Sequence, residues 1–419
     1  MTESTARDGE AAQSAALANI RVLDLSRVLA GPSCAQLLAD LGADVVKIER
    51  PGRGDDSRAW GPPFMPDVKG DPTTESAYFA TCNRGKRSIT LDFAKPAGSE
   101  IIRQLIRTSD VLIENYKVGT LAKHGLGYAE LSAINPRLVY CSITGFGQTG
   151  PYRSRPGYDT IVQAIGGLMS VTGVGGNGQA ASPLKAGVAV TDLMTGLYAA
   201  VGILAALQSR HVTNRGQYID VALLDVQVAG LANIATNYLA TGKVPVPTGN
   251  RLPTLYPCDS FLCRDRHIML IVGNDQQFRR FCSAAGLEGL ANDPRFSTNA
   301  LRLQHAQALA PLIEERLATD SAAAWVERFE AFGIACGPIN NLAQVFDNDQ
   351  VRAREMVIEM PHPVAGRMRA VANPLRLSAT PVQYLRPPPT LGEHTAPILK
   401  ELLGLTDSEI EHLTDNDVI

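Results

Sequence analysis

Between Val22 and Arg50 the chain reads as an apolar run, a tight turn, a helical stretch and a second apolar run. Val22–Leu25 and the stretch from Asp44 to Glu49 are largely apolar, as strands covered by helices on both faces should be. Ala30-Gly31-Pro32 lies between them, followed by a helix predicted from about Ser33 to Leu41 and then Gly42. Pro32 suits a first helical turn and Gly42 a C-terminal cap. Two such strands joined through a helix form a parallel βαβ unit. The rhythm continues with strands predicted at Arg87 to Phe93, Val111 to Asn115 and Leu138 to Gly145, a helix from Gly98 to Thr108, and helical segments around Leu121 and Leu131. The expected fold class is α/β, with a doubly wound parallel sheet in a large domain.

At 419 residues the chain has room for two or three domains of about 150 residues each. After Pro151 a Gly-rich run precedes a long helix predicted from Leu193 to Gln208 and a strand from Gln217 to Ala222. Prolines 245, 247, 253 and 257, with Gly242 and Gly249, then break periodicity and mark the passage into a smaller α+β domain. That domain is expected to hold a strand at His267 to Val272 and helices at Asp275–Ala285, Ala306–Leu317 and about Ala322 to Phe332. From Cys336 the chain reads as loop-rich, with an amphipathic helix, Thr395–Leu403, closing it. The expected division is a disordered 1–18, a large domain over 19–240 completed by 345–419, and a small domain with its linker over 241–344.

Lys and Arg number 39 against 42 Asp and Glu, leaving a formal charge of −3 and no cationic excess of the kind that binds nucleic acid. The longest uncharged apolar stretch, Leu193 to Ser209, falls short of the roughly 20 residues that span a bilayer, so no membrane is expected. Residues 1–18 carry Glu3, Arg7, Asp8 and Glu10 where a secretory leader would be apolar. The 7 cysteines include no C-x-x-C pair and read as free thiols, and a cytoplasmic location is expected.

Gly173-Val174-Gly175-Gly176-Asn177-Gly178 satisfies G-x-G-x-x-G, yet it opens no helical pattern and reads as a loop. The βαβ unit at Val22 to Arg50 is the better nucleotide candidate, because Glu49-Arg50 ends its second strand where a ribose-reading residue sits. No H-E-x-x-H, P-loop, G-x-S-x-G or paired Cys/His spacing occurs, so no metal is expected. Asp192 precedes the long apolar helix. It reads either as an N-cap or as a carboxylate nucleophile whose products are stabilised by helix-start N–H groups.

Several ordered blocks carry a more specific signal: Val22-Leu23-Asp24-Leu25 with Ala30-Gly31-Pro32, Gly42 to Pro51, Asn83-Arg84-Gly85-Lys86-Arg87-Ser88, Asp110 to Tyr116, Asn135 to Tyr140, Gly145 to Pro151, and Gly392-Glu393-His394-Thr395. In this order, from about Ile20 to Leu413, they resemble the class III CoA-transferases, a family that includes formyl-CoA transferase, carnitine CoA-transferases and α-methylacyl-CoA racemase. Arg155-Pro156-Gly157-Tyr158-Asp159, the block Gly187 to Leu193, Asn274 to Phe278 and Gly337 to Asn341 most resemble the succinyl-CoA:glutarate CoA-transferase branch. Tyr158 stands where the racemases carry a histidine, and a tyrosine with pKa near 10 is a poor base at neutral pH.

The resemblance implies an interlocked homodimer and an enzyme that moves CoA from succinyl-CoA to a dicarboxylate such as glutarate, with CoA as a substrate and no permanent cofactor. An α-methylacyl-CoA isomerase or a CoA-binding protein without turnover are the alternatives. It further implies Asp192 as the nucleophile, passing through an aspartyl-CoA thioester. CoA is expected against Val28, Arg50, Leu91, Asn115, Tyr116 and Lys123. The acceptor acid is expected against Trp60, Tyr78 and Asp159, with Arg84 and Arg155 as cations for its second carboxylate.

Overall fold

The computed structural model describes residues 15–174 and 182–419. Of the expected disordered stretch 1–18, residues 1–14 lie outside the described residues, as does most of the glycine run, from Gly175 to Gly178, while residues 15–18 form a turn whose Leu17 N–H bonds the Leu41 carbonyl at 2.9 Å. Two compact units divide the chain. One comprises the chain up to Gly167 with Ala186–Ala235 and Arg352–Ile419, the other Leu168–Lys185 with Thr236–Val351. The second unit thus takes in a segment ahead of the long helix that the sequence assigns to the large domain.

The first unit is built on strands β1 (Arg21–Asp24), β2 (Asp44–Glu49), β3 (Phe64–Pro66), β4 (Pro72–Ser76), β5 (Lys86–Thr90), β6 (Val111–Glu114), β7 (Val139–Thr144) and β8 (Tyr218–Ala222). Six of them form one sheet in the order β5-β2-β1-β6-β7-β8, every neighbouring pair parallel, while β3 and β4 make a separate antiparallel hairpin. Alternation along the strands feeds two cores. Val22, Val45, Val111, Val139 and Cys141 pack with the helices Ala30–Asp40 and Val190–Thr213 on one face. Leu23, Val46, Ile89, Leu112 and Leu138 pack with Pro96–Ile106, Tyr128–Ile134 and Thr395–Leu403 on the other. Strand order reverses between β1 and β6, and in a doubly wound sheet ligands bind outside the strand ends at that switch.

Val190–Thr213 is 24 residues long and by length and composition alone could cross a bilayer. Its apolar character serves the core instead: Ala199, Ile203, Ala206 and Leu207 are buried against the sheet. A Cβ on Gly196 would stand 2.8 Å from the Ala30 carbonyl oxygen, so glycine is what lets this helix lie against Ala30–Asp40.

Beside this apolar core, the β1–β2–β5 edge carries buried charge. Lys86 Nζ donates to Asp24 Oδ2 at 2.7 Å, Asn83 Oδ1 at 2.8 Å and the Pro32 carbonyl at 3.0 Å, using all three of its protons. Lys47 Nζ donates to the Ser26 carbonyl at 2.9 Å and lies 3.0 Å from Asp55 Oδ2. Asp24, Lys47, Lys86 and Asp55 are all buried. Burial by itself pushes carboxyls up and ammonium groups down. For Asp24 and Asp55 the lysine charges overcome burial and hold both carboxyls below their ordinary value, and the aspartates likewise raise Lys47 against burial. On Lys86 burial prevails and its value is lowered.

The second unit carries the antiparallel sheet β11-β10-β9, with β9 (Cys258–Leu262), β10 (His267–Ile271) and β11 (Ala335–Pro338). Its core includes Phe278, Phe281, Trp325 and Phe329 from the helices Asp275–Ala285 and Ala322–Ala331. Arg302 is buried in it, its guanidinium spent on the Tyr256 and Phe296 carbonyls and on Asp275.

Two expectations for the C-terminal third are corrected. The stretch after Cys336 contains an antiparallel hairpin of β12 (Val357–His362) and β13 (Gly366–Val371). The chain also does not close on Thr395–Leu403: Asp407–Asp415 follows, started by a capping box between Thr406 and Glu409.

Replacing Lys86 by Met would leave the Asp24 carboxylate buried with its nearest remaining ammonium, Lys47, 3.9 Å away. Breaking one side of a buried pair costs about 3–5 kcal/mol, so Lys86→Met is expected to lower the urea-unfolding free energy by that order. A loss below about 1 kcal/mol would show the charged cluster to be dispensable.

Candidate active site

The turn after β1 is shaped by three sets of bonds. Asp24 Oδ1 accepts the Ser26 N–H at 3.0 Å. Asn115, just after β6, accepts the Arg27 N–H at 2.9 Å and donates to the Arg27 carbonyl at 2.7 Å. The Asp55 carboxylate accepts the Val28 N–H at 3.1 Å and is itself held by Lys47. Val28 sits at φ 72°, a left-handed conformation that a β-branched residue adopts only when its surroundings impose it. The buried charges are therefore what fix the turn at the mouth of the switch point.

Asp192 enters from the other side. The helix begins at Val190, so Asp192 lies inside its first turn and not before it, and no side-chain cap comes from Ala189. The cap is supplied from elsewhere: Asp159 Oδ1 accepts the Thr191 N–H at 2.9 Å and the Asp192 N–H at 3.1 Å, and Gln163 Nε2 donates to its Oδ2 at 2.5 Å. This corrects two expectations. The N-cap reading of Asp192 belongs to Asp159, and Asp159 is tied to the helix start, not turned to an acid substrate. The expectation that the helix-start N–H groups would stabilise the products of Asp192 is corrected too, because the Thr191 and Asp192 N–H groups are taken by Asp159 and the Leu193 N–H bonds the Ala189 carbonyl. Burial first, and then the Asp159 charge, push the Asp192 carboxyl up to about 7.

Asp192 lines a cavity with Arg27, Val28, Leu29, Ala30, Asn115, Tyr116, Lys117, Gly145, Arg153, Arg155, Gly157 and Tyr158. A second cavity of about 350 Å3, within the range of small-molecule sites, shares Arg27 and Tyr116 with it and is lined further by Lys47, Arg50, Arg53, Asp55, Leu91 and Phe93. Both lie at the β1/β6 switch. The Tyr116 ring stands edge-on to Phe93 with centroids 5.2 Å apart and beneath Arg27, whose guanidinium carbon is 4.8 Å from the ring centroid.

Of the residues expected to meet CoA, Val28, Asn115 and Tyr116 thus line the first cavity and Arg50, Leu91 and Tyr116 the second. Lys123 lines neither. It is an exposed residue of the short 3₁₀ turn Ala122–His124. Tyr78 is close enough to Asp192 that burial, and then the Asp192 charge, raise its hydroxyl to about 12. Trp60 stands edge-on to Tyr78 at 4.9 Å between centroids. Arg155 faces the Asp192 cavity with its guanidinium 3.6 Å from the Tyr152 ring centroid. Arg84 does not fit its expected role, because its guanidinium binds Asp40 in a buried bidentate pair at 2.9 and 2.6 Å and also donates to the Val371 carbonyl.

Sequence reasoning passed over Arg27, Lys117 and Arg153, loop cations that resemble any solvated charge until the fold brings them to one cavity. It also passed over the reason for two glycines. A Cβ on Gly157 would stand 2.3 Å from the Gly145 Cα, and one on Gly145 would stand 2.5 Å from the Gly157 Cα. Two backbones touch there, which carries Tyr158 and Asp159 from the end of β7 to the start of the Asp192 helix.

The first unit thus sets a buried carboxyl group with a raised pKa beside a two-part crevice at the switch point of a parallel sheet. The chain belongs to CoA-transferase family III, whose family model matches residues 17–395, and it is an enzyme of that kind. It is 46% identical over 386 residues to the succinate–glutarate CoA-transferase of Agrobacterium fabrum, covering 92% of this chain and 95% of that one. It is 41% identical over 403 residues to the succinyl-CoA:glutarate CoA-transferase of Homo sapiens, covering 96% and 90%. The crystal structure of a CAIB/BAIF family protein from Brucella suis superposes with a TM-score of 0.81 at 44% identity, covering 91% of this chain and 98% of that one.

Gly157→Ala is expected to force the two backbones apart and draw Asp159 from the helix start, lowering turnover at least about ten-fold with the far-ultraviolet dichroism unchanged. Wild-type turnover in a folded Gly157→Ala protein would dissociate this contact from catalysis.

Proposed function

We propose that this enzyme transfers CoA from succinyl-CoA to glutarate or a near relative among the C4 to C6 dicarboxylates, through a thioester formed on Asp192. The observation that carries the reading is the Asp192 carboxyl itself, lining the cavity with its helix capped by another residue and its side chain free to react. Identity above 40% to two proteins named for succinate or succinyl-CoA and glutarate supports the choice of substrates.

In the proposed cycle an Asp192 oxygen attacks the thioester carbonyl of succinyl-CoA. The C–S bond breaks, CoA leaves as thiolate, and a mixed anhydride remains. The thiolate then attacks the aspartyl carbonyl, releasing succinate and leaving CoA as a thioester on Asp192. Glutarate attacks that thioester and expels the thiolate, which attacks the glutaryl carbonyl of the second anhydride, giving glutaryl-CoA and restoring the carboxylate. No proton or electron is gained or lost overall. With the Thr191 and Asp192 N–H groups taken by Asp159, donors for the tetrahedral oxyanions come from the start of Ala30–Asp40. Ala30 lines the cavity, and the Ala30 and Gly31 N–H groups have no partner among the described residues.

CoA is assigned to the second cavity, with Arg50 and Arg53 for its phosphates and Tyr116 at the passage to Asp192. Arg153 and Arg155 are assigned to the distal carboxylate of the dicarboxylate, replacing Arg84. Seven unpaired cysteines support work in a reducing compartment.

The proposed assembly is a homodimer. On the side of Val190–Thr213 away from the sheet, Leu197, Tyr198 and Val201 are 57%, 52% and 64% exposed, with Ile161, Ile165 and Val228 exposed as well. An apolar set of this kind on one unit calls for a covering partner.

The deciding assay mixes the protein with succinyl-CoA and a panel of mono- and dicarboxylic acids and follows new CoA esters by mass. Glutarate and its near relatives are expected to react and monocarboxylates not. Asp192→Ala is expected to abolish transfer while CoA binding persists. Because Asp192 is protonated and unreactive below its pKa of about 7, kcat is expected to rise as pH climbs through that value. An ordinary carboxyl ionises near pH 4, so as pH rises from there folding must first hold a proton that the unfolded chain gives up and, above about 7, bury the anion, and Asp192→Asn is expected to melt higher than wild type at pH 8 but not at pH 4. A flat pH profile, or transfer by Asp192→Ala, would falsify the nucleophile. In light scattering the protein is expected at twice its chain mass, and a monomer at micromolar concentration would rule out the dimer.

A further inference from the structure

Behind the cavities, a polar row crosses three strands at one level. Glu114 ends β6 and is paired in register with Ser142 on β7, which is in turn paired with Asp220 on β8. Glu114 is buried, and each of its oxygens is engaged: the Ser142 hydroxyl donates to Oε1, and the Tyr116 N–H donates to Oε2 at 2.8 Å. On the other side of the row, Gln148 Nε2 donates to Ser142 Oγ at 2.9 Å, and the Gln148 N–H donates to Asp220 Oδ2 at 3.0 Å. The turn after β6, which carries Asn115 and Tyr116 and is held by Glu114, and the turn after β7, which carries Gly145 and leads to Asp159 and is held by Ser142 and Asp220, are therefore joined through the Glu114–Ser142 bond.

We propose that Glu114, acting through Ser142, is a positioning residue for CoA: it sets the Tyr116 backbone, and with it the ring between the two cavities, relative to the turn that leads to the nucleophile. Tyr116 lines both cavities, with Arg27 and Asp56, so a displaced Tyr116 N–H moves the wall along which CoA would reach Asp192. The tie depends on geometry more than on charge. Burial raises the Glu114 carboxyl to about 7, against the pull of Ser142 and the Tyr116 N–H. As the neutral acid it keeps both bonds, its O–H turning to Ser142 Oγ while its carbonyl accepts from Tyr116. A glutamine offers the same donor and acceptor, whereas an alanine offers neither.

The inference rests on CoA occupying the cavities beside Tyr116, and the test separates the two. CoA binding is measured by calorimetry and succinyl-CoA turnover by mass. Wild type binding no CoA at all would defeat the proposed function before the variants are considered. With wild-type binding in hand, Glu114→Ala is expected to weaken CoA about ten-fold and raise the KM for succinyl-CoA by a like factor, with kcat falling less than about three-fold. Glu114→Gln is expected to stay within about two-fold of wild type. Should Glu114→Ala fail to fold, Ser142→Ala, which removes one small hydroxyl, is expected to weaken CoA about three-fold. Wild-type CoA affinity in either folded alanine variant, or a glutamine variant as weak as the alanine, would overturn the assignment.

Discussion

Two lysines and two aspartates sealed inside the β1–β2–β5 edge govern the geometry of the whole site. Asp24 and Lys47 belong to the strands themselves, Lys86 begins β5, and Asp55 comes from the loop after β2. Ion pairs without water are a poor source of stability compared with well-packed apolar groups. What they supply is direction. Lys86 grips the Pro32 carbonyl at the entrance of the first helix, and Lys47 grips the Ser26 carbonyl and orients Asp55, which then draws Val28 into a left-handed conformation. Aliphatic replacements could fill the same volume but could not bend that turn.

On the opposite wall, labour is divided between two acids. An aspartate near a helix start ordinarily spends its oxygens on the first N–H groups. Here Asp159, from 33 positions earlier in the chain, performs that service and leaves Asp192 unencumbered. Gly196, one turn further along the same helix, brings it against Ala30–Asp40, and the meeting of Gly145 with Gly157 delivers Asp159. Three places where no side chain fits thus set the position of Asp192.

Much of this fold could be read from the chain. Strand-like and helix-like periodicity gave β2 and the helices Asp275–Ala285, Ala306–Leu317 and Thr395–Leu403 their observed limits, the last of these and Asp275–Ala285 each stopping before a glycine. The β12–β13 hairpin escaped notice because Glu359, Pro361, Arg367 and Arg369 interrupt its apolar pattern, and an edge ribbon needs no continuous one. The site was legible in part. Asp192 is conspicuous by its place before an apolar run, whereas its cap, its glycine contacts and the fate of Arg84 depend on partners tens of residues away that no local pattern announces. Arg84 has the look of a ligand-binding cation until Asp40 is found beside it.

The closeness of Asp159 to Asp192 has a bearing on the energetics of the proposed cycle. In the resting enzyme the two carboxylates repel, which is one reason Asp192 holds its proton so strongly. In that proposed cycle, thioester formation with CoA would erase one of the two charges and relieve the enzyme–CoA thioester of a repulsion that the free enzyme bears. Hydrolysis would restore it. The same cap that leaves the Asp192 side chain free would thereby tilt the proposed cycle toward its covalent state and work against the wasteful escape of the activated group to water.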